Sequence, residues 1–203
     1  MTYDVFIIGG GAAGMSCALL LGSAKEKPFA ADKKIAVVLH QKTSAMTKGM
    51  FNNVLGVGPN TPGPEILEKG IKHLHFKYPH IDQIEKEKVI GIDGEKGNFS
   101  VSTNKNIYKA KLVVVAAGAS DLFDIEGLTQ YVEPHRNLPP EKNKIQLRNK
   151  DHLVTEGIYV AGTLAGWISQ LAIAIGSGAM VASDILRNWN NGNPVVIHDS
   201  IED

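Results

Sequence analysis

Three glycines, Gly9, Gly11 and Gly14, stand in the spacing G-x-G-x-x-G between an apolar run, Val5 to Ile8, and a run of small residues and leucines. That arrangement suits a dinucleotide pyrophosphate. The first glycine permits a tight turn, the second lets the backbone approach the phosphates, and the third allows helix and strand to pack closely. Amides at the helix start, around Ala12 and Ala13, supply donors, and the helix dipole adds roughly half a positive charge there. An Asp or Glu at the end of the second strand usually binds the adenosine ribose. Here Val37, Val38 and Leu39 lead instead into His40, Gln41 and Lys42. The ribose contact falls to His40 or Gln41, or to backbone and water; His40 as a plain surface residue after a strand fits the sequence equally well.

A second set of residues lies towards the other end. GIYVAGTLAGWISQLAIAIGSGAMVASDIL, Gly157 to Leu186, reads as a strand, a turn and a helix. A helix starting near Gln170 points its free amides at whatever lies in front of it, so Gln170 and Leu171 are candidate contacts. The small residues Ala172, Ala174, Gly176 and Gly178 also allow close helix packing, and both roles can hold. No charged residue occurs from Gly157 to Ser183, a length that could span a bilayer. Gly162, Gly166, Gly176 and Gly178, with Thr163, Ser169, Gln170 and Ser177, break the stretch into shorter elements that suit a soluble core.

The elements that must hold these turns follow from pattern. Tyr3 to Ile8 and Leu112 to Ser120 read as buried parallel strands, and Ile35 to Leu39 as the second strand of a βαβ unit whose helix runs from Ala12 to about Ser23. His40 to Pro62 is a loop rich in glycine and asparagine, after which Pro64 opens a helix, Glu65 to Tyr78. Lys88 to Ala110 reads as a three-stranded antiparallel meander. Leu122 to Asn143 is irregular, Ile145 to Leu147 a short strand, and Asn190 to Asp203 a polar tail with Val195 to Ile197 as an exception. The expected fold class is α/β: a Rossmann-like domain over residues 1–190, with a central parallel sheet flanked by helices and by the meander, followed by a tail over 191–203.

Composition narrows the partners. Lysine plus arginine and aspartate plus glutamate both number 21 in a chain of 203 residues, so no net field favours nucleic acid or an anionic membrane. The one cysteine, Cys17, leaves no internal disulfide, CxxC pair or cysteine-based zinc site, and a buried packing role suits it. The opening MTYDVF lacks a signal-peptide pattern, so the expectation is cytoplasmic. His73, His75 and His80 lie close together in sequence, but His73 and His75, two apart on a helix, do not share a face, so surface positions are the better account and no metal site is expected. Trp167 could lie near a cofactor, in a subunit interface or in the core.

Taken together, IIGGGAAG, NVLGVGPNTPGPEILEKG (Asn53 to Gly70), LVVVAAGAS and GIYVAGT followed by SQLAIAIGSGAMVASDIL (Ser169 to Leu186) resemble the flavin domain of the low-molecular-weight thioredoxin reductase family. The resemblance implies FAD as cofactor. It implies that Gly9 to Gly14 hold the pyrophosphate, that Asn53 sits near the isoalloxazine or ribityl chain, that Val89 meets adenine through its backbone, and that Ala117 and Gly118 pass close to the cofactor. Gln170 and Leu171 would face the pyrimidine edge of the flavin. It also implies a symmetric homodimer.

The sequence departs from that family in three ways. Gly162 and Thr163 stand where the family has Gly-Asp. Only 38 residues, 119–156, separate Gly118 from Gly157, where relatives carry a whole NADPH-binding domain. The family's CxxC belongs to that domain. The expected function is therefore a flavin-dependent oxidoreductase fed by an external donor: free NAD(P)H, a ferredoxin-like carrier or a partner subunit. A non-catalytic flavin-binding sensor or interaction module is the alternative, and an NAD-binding domain without flavin a third. No acid, base or nucleophile is singled out by spacing.

Overall fold

The computed structural model describes residues 1–39 and 44–197. In chain order the elements are β1 (Thr2–Ile8), α1 (Ala12–Ser23), β2 (Ile35–Val38), β3 (Met50–Phe51), β4 (Thr61–Pro62), α2 (Gly63–Lys77), β5 (Ile81–Ile84), β6 (Val89–Glu95), β7 (Asn98–Thr103) and β8 (Ile107–Val115). There follow β9 (Val132–Pro134), β10 (Ile145–Leu147), β11 (Leu153–Thr155), β12 (Ile158–Val160) and α3 (Leu171–Trp189).

The main sheet runs β11-β12-β8-β1-β2-β5, and the contacts β12–β8, β8–β1, β1–β2 and β2–β5 are all parallel. Side chains of β1 alternate between two cores, as the period of a strand requires. Val5 and Ile7 point to one face with Cys17, Leu21, Val114, Val181 and Ile185, the layer filled by α1 and α3. Phe6 and Ile8 point to the other with Phe99, Val101, Val113 and Val115, the layer filled by the meander. Both faces are covered, which is why the central strands are apolar throughout.

Helix α2 is amphipathic: Leu67 and Leu74 are buried, while Lys69–Glu65 and Lys72–Glu68 pair on its outer side. Of the candidate metal-binding histidines, His73 stacks on Tyr78 and His75 meets Phe76 edge-on.

Four differences from the sequence expectation have physical causes. The third meander strand and the following parallel strand are one element, because no turn residue interrupts Ile107 to Val115. The first half of β8 pairs with β7 and its second half with β12, so the meander belongs to the same sheet as the parallel strands. Strand β5 has no clear sequence signal: its four residues include Asp82 and Gln83, as a short strand at the sheet edge allows. The stretch expected to be irregular contains β9, which pairs antiparallel with β10. In the polar tail, Val195 and Ile197 do pack against the helix-side core.

Candidate functional site

The parallel strands end together. The amide of Gly9 donates to Val38, that of Ala116 to Ile8 and that of Ala161 to Val115, so the turns after β1, β8 and β12 lie side by side at the carboxyl ends. In open α/β sheets this is where ligands bind.

The three glycines of the first turn differ in their surroundings. Gly9 has φ +108, and a methyl group there would lie 2.5 Å from the Ala116 carbonyl oxygen. At Gly14 a methyl would lie 1.8 Å from the Gly9 oxygen. These two are fixed by the protein's own packing. Gly11 is open: the nearest atom to a methyl there is Ser44 Oγ, at 3.8 Å. The bare approach to the backbone is therefore at the second glycine, where a pyrophosphate would need it. Gly11 is also the N-cap of α1, and no side chain caps the helix. The first-turn amides, Ala12 and Ala13 among them, have no partner within the helix and are available to an anion.

The last turn packs onto this one. Gly162, with φ +75, would place a methyl 3.0 Å from Ala13 Cβ, and its amide donates to the buried Ser177 Oγ at 2.8 Å. Farther along α3, a methyl on Gly178 would lie 1.9 Å from the Ala13 carbonyl oxygen. Helix α3 begins at Leu171 with Gln170 as N-cap, again without a side-chain cap. Leu171 is buried with Met46 and Leu67, and the half-buried Ala12 packs against that cluster. Two uncapped helix starts are thus held beside each other.

Of the residues expected from sequence, the structure brings Gly9, Gly11, Ala12, Ala13, Gly14, Gly162 and Leu171 into one assembly. Thr163 and Gln170 flank it along the chain, in the turn after β12 and at the N-cap of α3. Ala117 adjoins it: its Cα lies 3.4 Å from a methyl built on Gly9. Gly118 follows with φ +81 and open space around it. Asn53 is exposed in the loop between β3 and β4. Val89 is buried in the meander-side core and paired with Thr103. His40 and Gln41 lie outside the described residues.

Trp167 is not a core residue. It is 42% exposed, with the His152 ring tilted against its ring at 5.9 Å between centroids and the Arg136 guanidinium over the ring at 5.4 Å. Two participants escaped the sequence reading. Ser44, N-cap of the short turn Ala45–Lys48, stands over Gly11; serine ahead of a helical turn was the available signal. Ser177 joins α3 to Gly162 across 15 residues, a tie with no local pattern.

Cys17 is fully buried in the helix-side core, and burial pushes its thiol up to about 12. A thiol so placed is neither a nucleophile nor a redox partner at neutral pH.

Comparison with known proteins agrees with this architecture. The family model for pyridine nucleotide-disulphide oxidoreductases matches residues 3–171. The chain belongs to that family. A ferredoxin–NADP reductase of Streptococcus pyogenes is 29% identical over 116 residues, which is 57% of this chain and 34% of the reductase. The match thus spans about a third of that relative's length. Among solved structures, an oxidoreductase of Agrobacterium tumefaciens superimposes with a TM-score of 0.72 at 17% identity, covering 95% of this chain and all of the other. A thioredoxin reductase of Gloeobacter violaceus gives 0.70 at 16%, covering 100% of this chain and 99% of the other. A ferredoxin-flavin thioredoxin reductase of Clostridium acetobutylicum gives 0.67 at 18%, covering 94% and 98%. At these identities the likeness establishes the fold: a mostly parallel sheet flanked by helices, as in the flavin domains of thioredoxin reductases. Among the described residues, no helix is long and apolar enough to cross a membrane.

Proposed function

We propose that the chain binds FAD in extended form across the carboxyl ends of β1, β8 and β12 and acts as a flavin-dependent oxidoreductase that takes electrons from an external donor. The observation that carries this is the pairing of two uncapped helix starts, at Gly11 and Gln170, locked together through Ala13, Gly162 and Gly178. The residues present fit the group. Gly11 leaves the backbone bare where the pyrophosphate belongs, and Gly118 leaves open space where the cofactor passes.

Bound FAD supplies a two-electron carrier. The protein's part is binding and electrostatics. The first-turn amides of α1 bind the pyrophosphate, while those of α3, from Leu171, offer partial positive charge to the pyrimidine edge of the flavin and so favour electron acceptance. Thr163 offers a hydroxyl where the related reductases have a carboxylate. Asn53, Val89, Ala117 and Gly118, with His40 or Gln41 at the ribose, complete the proposed contacts.

The donor is proposed as free NAD(P)H, a ferredoxin-like carrier or a partner protein. The burial of Cys17, the one cysteine of the sequence, supports a reading in which the chain does not carry out dithiol exchange by itself. The oxidised-flavin spectrum of the purified protein, with extraction of the cofactor, tests FAD binding; a colourless protein that takes up no added FAD overturns it. Anaerobic mixing with NADH, NADPH or reduced ferredoxin then tests the donor. Failure of all three to bleach the flavin over hours leaves the non-catalytic flavin module as the reading. A cytoplasmic symmetric homodimer is part of the proposal, and the exposed Ile173, Ile175 and Met180, on the part of α3 that precedes its first charged residue, Asp184, provide apolar surface for it. A monomeric mass in light scattering contradicts it.

A further inference from the structure

The 38 residues between Gly118 and Gly157 are not a slack connection. Strands β9 and β10 pair as Val132↔Leu147, Glu133↔Gln146 and Pro134↔Ile145, forming a hairpin. From this hairpin and the segment after it, four side chains reach the main-chain carbonyls of the turn that leads to α3. Arg136 donates from Nε to Gly166 O at 3.2 Å and from Nη2 to Ala165 O at 3.0 Å. Asn137 donates to Gly166 O at 2.7 Å, and Asn149 to Ala165 O at 3.2 Å. His135 Nδ1 accepts the Asn137 amide, so its Nε2 carries the proton and donates to Thr163 O at 3.0 Å.

These donors are themselves held. The Arg136 amide donates to Gln146 Oε1 at 2.9 Å, Gln146 Nε2 donates to Glu133 Oε1 at 2.7 Å, and His135 and Gln146 are both buried. Gly166, at φ +85, completes the fit: a methyl there would lie 2.5 Å from Gln146 Oε1 and 2.6 Å from Arg136 Nε. The hairpin occupies the space that any side chain at position 166 would need.

We infer that the β9–β10 hairpin is a clamp that fixes the Gly162–Gly166 turn, and with it the direction in which α3 presents its first amides, with Arg136, Asn137, His135 and Asn149 as positioning residues for the cofactor. This rests on the FAD reading. A planar guanidinium donating to two successive carbonyls sets the turn's geometry in a way one flexible donor cannot. The other end of the turn is tied by Ser177 and Ala13, so the clamp supplies the second anchor.

The test compares the wild-type chain with the Arg136→Ala/Asn137→Ala double variant, with Arg136→Lys, and with Lys142→Ala at the exposed hairpin tip as a control. FAD affinity is read by equilibrium titration, the midpoint potential of the bound flavin by anaerobic redox titration, and folding by circular dichroism. The double variant is expected to bind FAD about tenfold or more weakly, having lost three hydrogen bonds to the turn, and to hold it at a shifted potential. Arg136→Lys should fall between, and Lys142→Ala should match the wild type. If the double variant does not fold, Asn137→Ala alone, which leaves Arg136 on Gly166 O, gives the same comparison. A folded variant with wild-type FAD affinity and potential overturns the clamp while leaving the functional reading intact. A wild-type chain that binds no FAD overturns the functional reading.

Discussion

The Cα of Gly178 faces the carbonyl oxygen of Ala13 so closely that a methyl group there would come within 1.9 Å of it. One helix is thereby seated on the first turn of the other, and the two N-termini proposed to serve one cofactor are held in a fixed relation.

This closeness decides between two effects of opposite sign. Glycine within a helix costs about 1 kcal/mol relative to alanine, so Gly178→Ala would stabilise α3 taken alone. The collision with a main-chain oxygen cannot be relieved by a rotamer change, and overpacking of this kind costs about 1–3 kcal/mol or more. Gly178→Ala is therefore expected to lower stability and FAD retention together. Gly176, two residues away, has nothing within 4 Å of an added methyl, and Gly176→Ala should stabilise by about 0.5–1 kcal/mol. Urea denaturation of both variants checks the contrast. Equal effects at the two positions would remove the basis for seating α3 on Ala13.

The first turn gives a second contrast. Gly14→Ala drives a methyl into the Gly9 carbonyl and is expected to unfold or strongly destabilise the chain without ligand. Gly11→Ala meets only Ser44 Oγ at ordinary contact distance, and the φ of −74 at Gly11 suits alanine. That variant should melt like the wild type without cofactor but bind FAD about tenfold or more weakly, since its methyl stands in the phosphate approach. Thermal melts with and without added FAD separate the two. Undiminished stabilisation of Gly11→Ala by FAD would place the pyrophosphate elsewhere.

How far this was legible from sequence depends on the range of each interaction. Gly9, Gly14 and the α1 start were readable because turn, strand and helix adjoin within ten residues and each leaves a local mark. The start of α3 at Leu171 followed from the change from turn residues to a helical run. What could not be read joins distant residues through side chains on main chain: Ser177 to Gly162, or Arg136 to Gly166 across 30 residues. Neither leaves a periodic signal. Trp167 illustrates the same limit, since its exposure and its contact with Arg136 depend on where the hairpin lies. The single strand β8 reads as two in the sequence because its two halves have different partners, which changes the burial pattern midway.

The thiol of Cys17 provides a prediction in pH. Its folded pKa is raised by burial from 9.0 to about 12. The sign follows from linkage: below pH 9 the thiol is protonated in both folded and unfolded chains, and nothing is lost. Between pH 9 and 12 the unfolded chain ionises and the folded chain does not, so stability falls as pH rises through that window. Cys17→Ala should flatten this alkaline decline while costing some stability at neutral pH, because it removes a buried sulfur. Denaturation midpoints between pH 7 and about 11 check it. Rapid alkylation of the native thiol at pH 8 would contradict the burial.

Thr163 supplies the test closest to the chemistry. It follows Gly162 in the turn that Ser177, Ala13 and the hairpin hold, and it stands where the resemblance to the thioredoxin reductase flavin domain implies an aspartate. Because the turn is anchored on both sides, Thr163→Asp should change the donor–acceptor group without moving the main chain. A carboxylate makes stronger hydrogen bonds to hydroxyl groups than a hydroxyl does, by about 1 kcal/mol, which corresponds to roughly fivefold in affinity. Partial positive charge from the nearby helix starts offsets the added negative charge. The expected outcome is about fivefold tighter FAD binding with unchanged stability of the ligand-free chain. Titration calorimetry of FAD into both proteins checks it. Weaker binding would mean that the Thr163 hydroxyl is itself a fitted contact, and that this chain holds the ribityl or phosphate portion in an arrangement of its own.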